Sequence, residues 1–303
     1  MTATASQTQR RGLIFGLIGV TIFGLTLPAT RIAVGELDPV FVGLGRAVAA
    51  SIPAALALLL SRSPLPSRAQ FIRIAIMSLG VVLGFPLLSA IAMVHAPASH
   101  GGVVLAILPL ATAMAGTLIA AERPSIGFWL SGIAGAIAVA SYAVLAAGNA
   151  RASGAGALQW ADLLLVGAVV SAALGYAIGG DLSRSLGGWQ VISWGLVISA
   201  PMMAAIVALL AGPINWHATP EAWSSFAYVS LFSQFLGFFF WNKGLALGGI
   251  AKVGQAQLLQ PFVTLGASAI LLSETIGTLE VGFAALVVAL VAIGWRMRVA
   301  RKQ

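Results

Sequence analysis

Cysteine is absent from this 303-residue chain, which excludes disulfides, thiolate metal sites and a cysteine nucleophile. Charge is scarce: 8% of residues are charged and 59% hydrophobic, where soluble domains average roughly 25% charged. The eight carboxylates and three histidines are scattered, and no HExxH, P-loop or GxSxG run occurs. Hydrolytic, phosphoryl-transfer and metal chemistry therefore have no visible constellation, and neither a cofactor nor a metal is expected. The net charge of +8 does not indicate a nucleic-acid partner, because the basic residues sit at segment ends and build no basic face. What the chain does have is a series of long apolar runs, the signature of a multi-pass protein whose first partner is the lipid bilayer. The start, MTATASQTQRR, is a short polar tail before a long apolar span, so the first span is expected to be retained rather than cleaved as a signal peptide.

Ten apolar segments can be marked: 12–34, 39–60, 70–94, 98–120, 125–147, 160–183, 188–210, 222–247, 251–273 and 277–297. Each is close to the ~20 residues that cross the hydrocarbon as a helix. The runs are too long, and alternate too little, for a barrel. An all-α integral membrane protein with ten transmembrane helices follows. Lys and Arg set its orientation. With both termini cytoplasmic, thirteen of the sixteen basic residues lie inside, only Arg31 and Arg151 lie outside, and Arg46 falls within the second span. The opposite orientation breaks the positive-inside rule. Arg46, Asp181, Lys243 and Lys252 lie within about two turns of a span end, near enough to snorkel to the surface.

Residues 148–159, GNARASGAGALQ, read as a linker. They separate a first repeat, 1–147, from a second, 160–303, each with five spans. An odd number of spans per half inverts the second half in the membrane. The halves agree in detail. At a shift of 152, Pro109 falls on Pro261, Gly102 on Gly254, Thr112 on Thr264 and Glu122 on Glu274; at 148, Pro53 falls on Pro201; at 153, Gly84 falls on Gly237. Inverted repeats enclose a midplane site and can exchange conformations to open one side while closing the other.

The ninth span is the most unusual stretch. AKVGQAQLLQPFVTLGASAILLSE, residues 251–274, is apolar enough for lipid yet carries Gln255, Gln257 and Gln260, then Pro261. On a helix Gln257, Gln260, Thr264 and Ser268 share one face. Such a polar stripe should turn away from lipid, towards other helices or a wet cavity.

With AMVHAPASHGGVVLAILPL at 92–110 and WNKGLALGGIAKVGQAQLLQPF at 241–262, the chain resembles the drug/metabolite transporter superfamily in its EamA-type branch. The second stretch resembles that branch's small-residue turn followed by a helix reaching L-Q-P. Glu122 and Glu274 match the acidic residue that closes this helix, although Ala121 and Ser273 stand where members often carry Gly. The whole-chain likeness is to YddG-type exporters of aromatic amino acids. The resemblance implies two five-helix halves around a central cavity lined by the first, third, fourth, sixth, eighth and ninth spans. It also implies a multi-pass protein of the bacterial inner membrane.

The residues supply a lining of their own. The ninth span gives Gln257, Gln260 and Thr264. The eighth gives Gln234, Phe238 and Trp241 on one face. The sixth gives Ser171 and Tyr176, and the third Ser78, Phe85 and Ser89. Rings with uncharged hydrogen-bonding groups suit an amino-acid-like solute with an apolar body and a polar head. For several of these residues a packing role is the other reading: Trp241 as an interface-belt tryptophan, the serines as marks of close helix contact. Pro28, Pro86, Pro109 and Pro261, with Gly237 and Gly254, are the candidate bends and hinges, static or mobile. Glu122 and Glu274 are expected to end helices and bind neighbouring loops, with Arg123 offsetting Glu122 at an unfavourable helix C-terminus. His95 and His100 flank an outer turn.

The resulting expectation is a transporter, plausible as a monomer, that exports aromatic amino acids by alternating access. No carboxylate lies near a predicted midplane, which points to facilitated diffusion rather than a proton relay. The alternatives are a proton-coupled exporter of other solutes, a sugar-phosphate or nucleotide-sugar exchanger, and, more distantly, a membrane enzyme. Sugar phosphates call for deep Lys or Arg, and on sequence only Lys243 and Lys252 are near enough to be considered.

Overall fold

The computed structural model describes residues 3–151, 160–272, 278–297 and 299–301. Most of the expected linker (152–159) and Glu274 lie outside them, as does the side chain of His100. All ten apolar stretches are helical over their described residues, and most are interrupted. The first holds α1 (Ala3–Gly24) and α2 (Thr26–Val34); the second a π turn, Phe41–Gly45, and α3 (Arg46–Leu60); the third α4 (Arg68–Ser78), a π turn, Leu79–Gly84, and α5 (Phe85–His95). The fourth holds α6 (Ala98–Val104), a 3-10 turn, Leu105–Ile107, and α7 (Leu108–Ile119); the fifth is α8 (Ile126–Arg151). The sixth and seventh are α9 (Trp160–Leu186) and α10 (Gly188–Leu210). The eighth holds α11 (Pro220–Ala227), a π segment, Tyr228–Leu236, and α12 (Gly237–Gly248). The ninth holds α13 (Ile250–Gly254), a 3-10 turn, Gln255–Leu259, and α14 (Gln260–Leu272); the tenth is α15 (Thr278–Arg296). Five helical stretches among the described residues are long and apolar enough to cross a membrane unaided: Gln7–Ala33, Phe41–Leu60, Arg68–His95, Trp160–Leu186 and Gly188–Leu210.

The interruptions have a backbone cause. A proline has no N–H and crowds the carbonyl four residues back. Pro109 does this to Leu105 and Pro261 to Gln257, and in each case the chain tightens into a 3-10 turn just ahead of the proline. The same device thus recurs at the same place in both halves. A second correspondence is steric. A Cβ on Gly102 would lie 3.3 Å from Thr264 Cγ2, and a Cβ on Gly254 would lie 3.1 Å from Thr112 Cγ2. Exchange each residue for its counterpart at a shift of 152 and one contact becomes the other. The fourth and ninth stretches therefore meet across a pseudo-twofold axis.

In lipid, helices associate through close backbone approach rather than through loss of apolar surface to water. α1 packs along α12 on such a seam. A Cβ at Gly12 would sit 2.5 Å from the Gly248 nitrogen, and one at Gly244 would sit 2.8 Å from the Gly16 nitrogen. α3 lies on α10, α9 on α5 and α7, and α8 on α15, so every one of these pairs joins the first half of the chain to the second.

The bend between α1 and α2 is held from outside. Pro28 leaves the Gly24 carbonyl without its helical partner, and the Thr264 hydroxyl donates to that carbonyl at 2.7 Å. The Tyr228 hydroxyl donates to the nearby carbonyl of Ile22 at 2.8 Å.

The all-α expectation needs one correction. β1 (Glu122–Pro124) pairs antiparallel with β2 (Val299–Arg301), with Glu122 opposite Arg301 and Pro124 opposite Val299. The turn after α7 forces Ala121 to a φ of 52° and leaves an extended backbone edge, which the C-terminal segment covers.

Candidate functional site

A cavity lies between the halves. Phe23, Thr26, Arg46, Val81, Phe85, Tyr176, Ser233, Phe238 and Gln260 line it. Its empty space is about 300 Å³ and is narrow throughout.

One wall is a cage of rings. Phe23 stands 6.1 Å from Tyr176, 5.1 Å from Phe238 and 6.0 Å from Trp241, centroid to centroid, and Tyr176 stands 5.9 Å from Phe238 and 5.3 Å from Trp241. Mixed stacked and edge-on geometries of this kind suit the ring quadrupoles. Trp241 is fully buried and its indole N–H has no partner. That is the second layer of the cage, not an interface belt.

The other wall is polar. Thr26 and Ser233 share a hydrogen bond between hydroxyls at 2.8 Å. Arg46 donates from both Nε and Nη2 to Gln234 Oε1, at 2.9 and 2.7 Å. Gln234 Nε2 in turn donates to the Val81 carbonyl at 3.0 Å. Gln260 is 6% exposed and its Oε1 is buried without a partner.

Two expectations fail at Arg46. It does not snorkel: it is 2% exposed. Nor is the chamber uncharged. Arg46 opens α3 directly after a π turn, α3 packs on the Tyr228–Leu236 segment, and Gln234 on that segment catches the guanidinium before it can reach the surface. Among the described residues no carboxylate pairs with it; the ion pairs there include Arg73 with Asp181 and Arg184 with Asp181 and Glu122. Lys243 and Lys252, the cations considered from sequence, lie elsewhere. Lys243 is exposed over the Phe15 ring at 4.5 Å, and Lys252 reaches Gln9 at 3.5 Å.

Of the candidate lining residues, Gln260, Phe238, Tyr176 and Phe85 reach the cavity wall, and Gln234 and Trp241 stand directly behind it. Gln257, Thr264, Ser78 and Ser89 are buried away from it. Gln257 Oε1 accepts from Thr112 at 3.3 Å, Thr264 holds the Gly24 carbonyl, Ser89 donates to the Pro86 carbonyl at 3.3 Å, and Ser78 crowds Gly195. Phe23, Thr26, Ser233 and Arg46 escaped sequence reasoning. Thr26 and Thr30 at a spacing of four were the available signal for the first span. Of the candidate hinges, Pro28 follows the α1–α2 bend, Pro86 and Gly237 follow π segments, and Pro109, Pro261 and Gly254 flank the 3-10 turns. A Cβ on Gly237 would lie 2.9 Å from Phe23 Cε1, so glycine lets a cage ring reach the backbone of α12.

Away from the cavity, two carboxylates from the first half, one after the first span and one after the fourth, each grip the start of a helix in the second half. Glu122 accepts from the backbone N–H groups of Ile250 and Ala251, at 2.8 and 2.7 Å, and from Arg184 at 3.3 Å. It grips the first turn of α13, where the helix dipole favours an anion. Arg184, on α9, brings a cation to Glu122. At the opposite end Glu36 accepts from the Thr219 hydroxyl at 2.6 Å and from the Thr219 backbone at 2.8 Å. Thr219 caps α11. The Thr219 hydroxyl first, and its N–H second, hold the Glu36 carboxyl below the usual carboxylate range. Among the described residues no group of three or more His, Asp or Glu is placed to hold a metal ion.

The chain was compared with known proteins. The EamA-like transporter family matches it twice, over residues 10–144 and 159–294. The protein YdeK of Bacillus subtilis (strain 168), described as an uncharacterized transporter, is 44% identical over 274 residues, spanning 88% of this chain and 90% of that one. A solved crystal structure of a chain only 17% identical superposes with a TM-score of 0.73, covering 94% of this chain and 96% of the other; at that identity it speaks for the fold alone. Two matched copies and a full-length relative place this chain in the EamA-like transporter family, as a duplicated, multi-pass membrane transporter.

Proposed function

We propose that this protein exports small amphiphilic solutes across the cell membrane by alternating access, with aromatic amino acids as the first candidates. The observation that carries the reading is the cavity between the halves. Four of its lining side chains are aromatic rings, and Thr26, Ser233, Arg46 and Gln260 complete the wall with hydrogen-bonding groups. A ring slot beside a polar wall fits a solute with an apolar body and a polar head. The inverted repeat supplies the motion: two halves that swap conformations expose one site to each side in turn. By the distribution of Lys and Arg, the Glu122 end faces the cytoplasm and the Glu36 end faces outward. Among the described residues no carboxylate or histidine lines the cavity, which favours movement down the solute gradient over proton coupling.

The test is counterflow and efflux of phenylalanine and tryptophan from proteoliposomes, with and without an imposed pH gradient. Saturable transport in both conditions is expected. Absence of saturable transport removes the substrate assignment, and a strict need for the gradient removes the mechanism.

A further inference from the structure

We propose that Arg46 is the receptor for a single carboxylate on the transported solute, so that the transporter selects monocarboxylates over their neutral and cationic analogues. The inference rests on the cavity being the substrate site, as read above.

A buried guanidinium without a counter-ion is costly, and a charge at membrane depth persists where a function uses it. Arg46 is such a group: 2% exposed, in the cavity wall, and with no carboxylate partner among the described residues. Its environment is built to aim it. A guanidinium carries five N–H groups in a fixed fork. Gln234 takes only the Nε and Nη2 edge, with one oxygen. Because the amide of Gln234 is itself tied to the Val81 carbonyl, it behaves as a bracket that fixes the plane of the cation. Arg46 lines the cavity and Gln234 does not, so the bracket stands behind and the Nη1 side is left for a ligand. A carboxylate accepts two parallel bonds from such an edge.

The rest of the wall narrows the class. Gln260 presents a buried acceptor with no partner, suited to an N–H donor on the same solute. Among the described residues lining the cavity, Arg46 is the only cation. One positive group balances a monocarboxylate but leaves a phosphate dianion uncompensated.

The experiment is a thermal-shift titration of the purified full chain in detergent. Ligand that binds the folded state raises its melting temperature, whether or not it is the natural substrate. The probes are phenylalanine, 3-phenylpropionate, phenylalaninamide, phenethylamine, phenyl phosphate and leucine. Phenylalanine and 3-phenylpropionate should bind about 10- to 100-fold more tightly than the amide and the amine, the range for losing a charge-assisted hydrogen bond. Arg46→Gln should remove that preference by weakening phenylalanine and 3-phenylpropionate about 10- to 100-fold and phenylalaninamide far less, and Arg46→Lys should restore part of it. Retained amide binding separates loss of recognition from loss of fold.

Equal binding of phenylalanine and phenylalaninamide by the unmodified protein overturns the inference, as does tighter binding of phenyl phosphate. Equal loss of both probes in Arg46→Gln also overturns it, because it would make Arg46 structural. If leucine binds as well as phenylalanine and depends on Arg46, the carboxylate receptor stands and the aromatic reading falls. No shift with any probe overturns both.

Discussion

The two ends of the molecule, after the first span and after the fourth, use one device and give it different surroundings. At each end a glutamate from the first half of the chain grips the start of a helix in the second half. Glu36 does so in the open: its carboxylate is exposed, and water competes for both of its bonds to Thr219. Glu122 does so in the interior, with 3% of its side chain exposed, two backbone N–H donors and Arg184. Coulomb and hydrogen-bond energies grow as water is removed, and so does the penalty for breaking them. The same chemical grip is therefore expected to be loose at the Glu36 end and firm at the Glu122 end. In an alternating-access cycle the Glu36 end is then the one that parts at smaller cost.

Breaking the firm end should have the largest effect. Glu122→Ala leaves two buried helix N–H groups without an acceptor and Arg184 with Asp181 as its remaining ion-pair partner, and should cost about 3–5 kcal/mol of stability, about 1–3 kcal/mol for each unsatisfied N–H with the lost ion pair added, read as a lowered melting temperature in detergent. Because the chain has no cysteine, a single Ala251→Cys is a clean reporter. It is buried in this structure and should label faster in the Glu122→Ala background, while Ala222→Cys near the other end should not. Equal acceleration at both ends would mean the grips are not separate.

Thr264→Val comes next. It keeps shape and removes the one hydroxyl that satisfies the Gly24 carbonyl, for a loss of about 1–3 kcal/mol. Because this joint belongs to neither end, both cysteine reporters should respond alike. Arg184→Gln should cost less, about 1–2 kcal/mol, because Arg184 is partly exposed and Glu122 keeps its two backbone donors.

The smallest effect is at Glu36. Glu36→Gln should leave the melting temperature nearly unchanged and should accelerate labelling at Ala222→Cys only. Its pH dependence has a defined sign. The folded carboxyl is held below its ordinary value near 4.5, so its contribution is present above that value and is lost as pH falls through the lowered one. Labelling of Ala222→Cys with a pH-insensitive reagent should therefore rise in acid, and the Glu36→Gln variant should lack the rise.

Much of this architecture could be read from residue spacing, and the reason is local. A proline imposes its break whatever surrounds it, so Pro109 and Pro261 announced both the helix breaks and the duplication, though not the 3-10 form the breaks take. The face shared by Gln234, Phe238 and Trp241 was likewise legible, since 3.6-residue periodicity survives a π segment that ends at Leu236. Arg46 was not legible. Near a helix start a long side chain can turn to the surface or to the core, and the choice is made by Gln234, 188 residues away. Thr264 shows the reverse error. Its place on the polar stripe suggested the cavity, yet the carbonyl freed by Pro28 claims its hydroxyl. Glu122 was legible as a residue that ends one helix and binds a neighbouring segment, but Arg184, 62 residues away on α9, was not legible as its partner.

That claim on Thr264 has a mechanical consequence. The angle between α1 and α2 is not a private property of the first stretch, because α14 holds the exposed carbonyl at the corner. When α14 tilts, the corner must either follow, as a crank follows its rod, or surrender its bond in a dry interior. Phe23 sits one residue before Gly24, so any such turn of the corner also swings a ring of the cage.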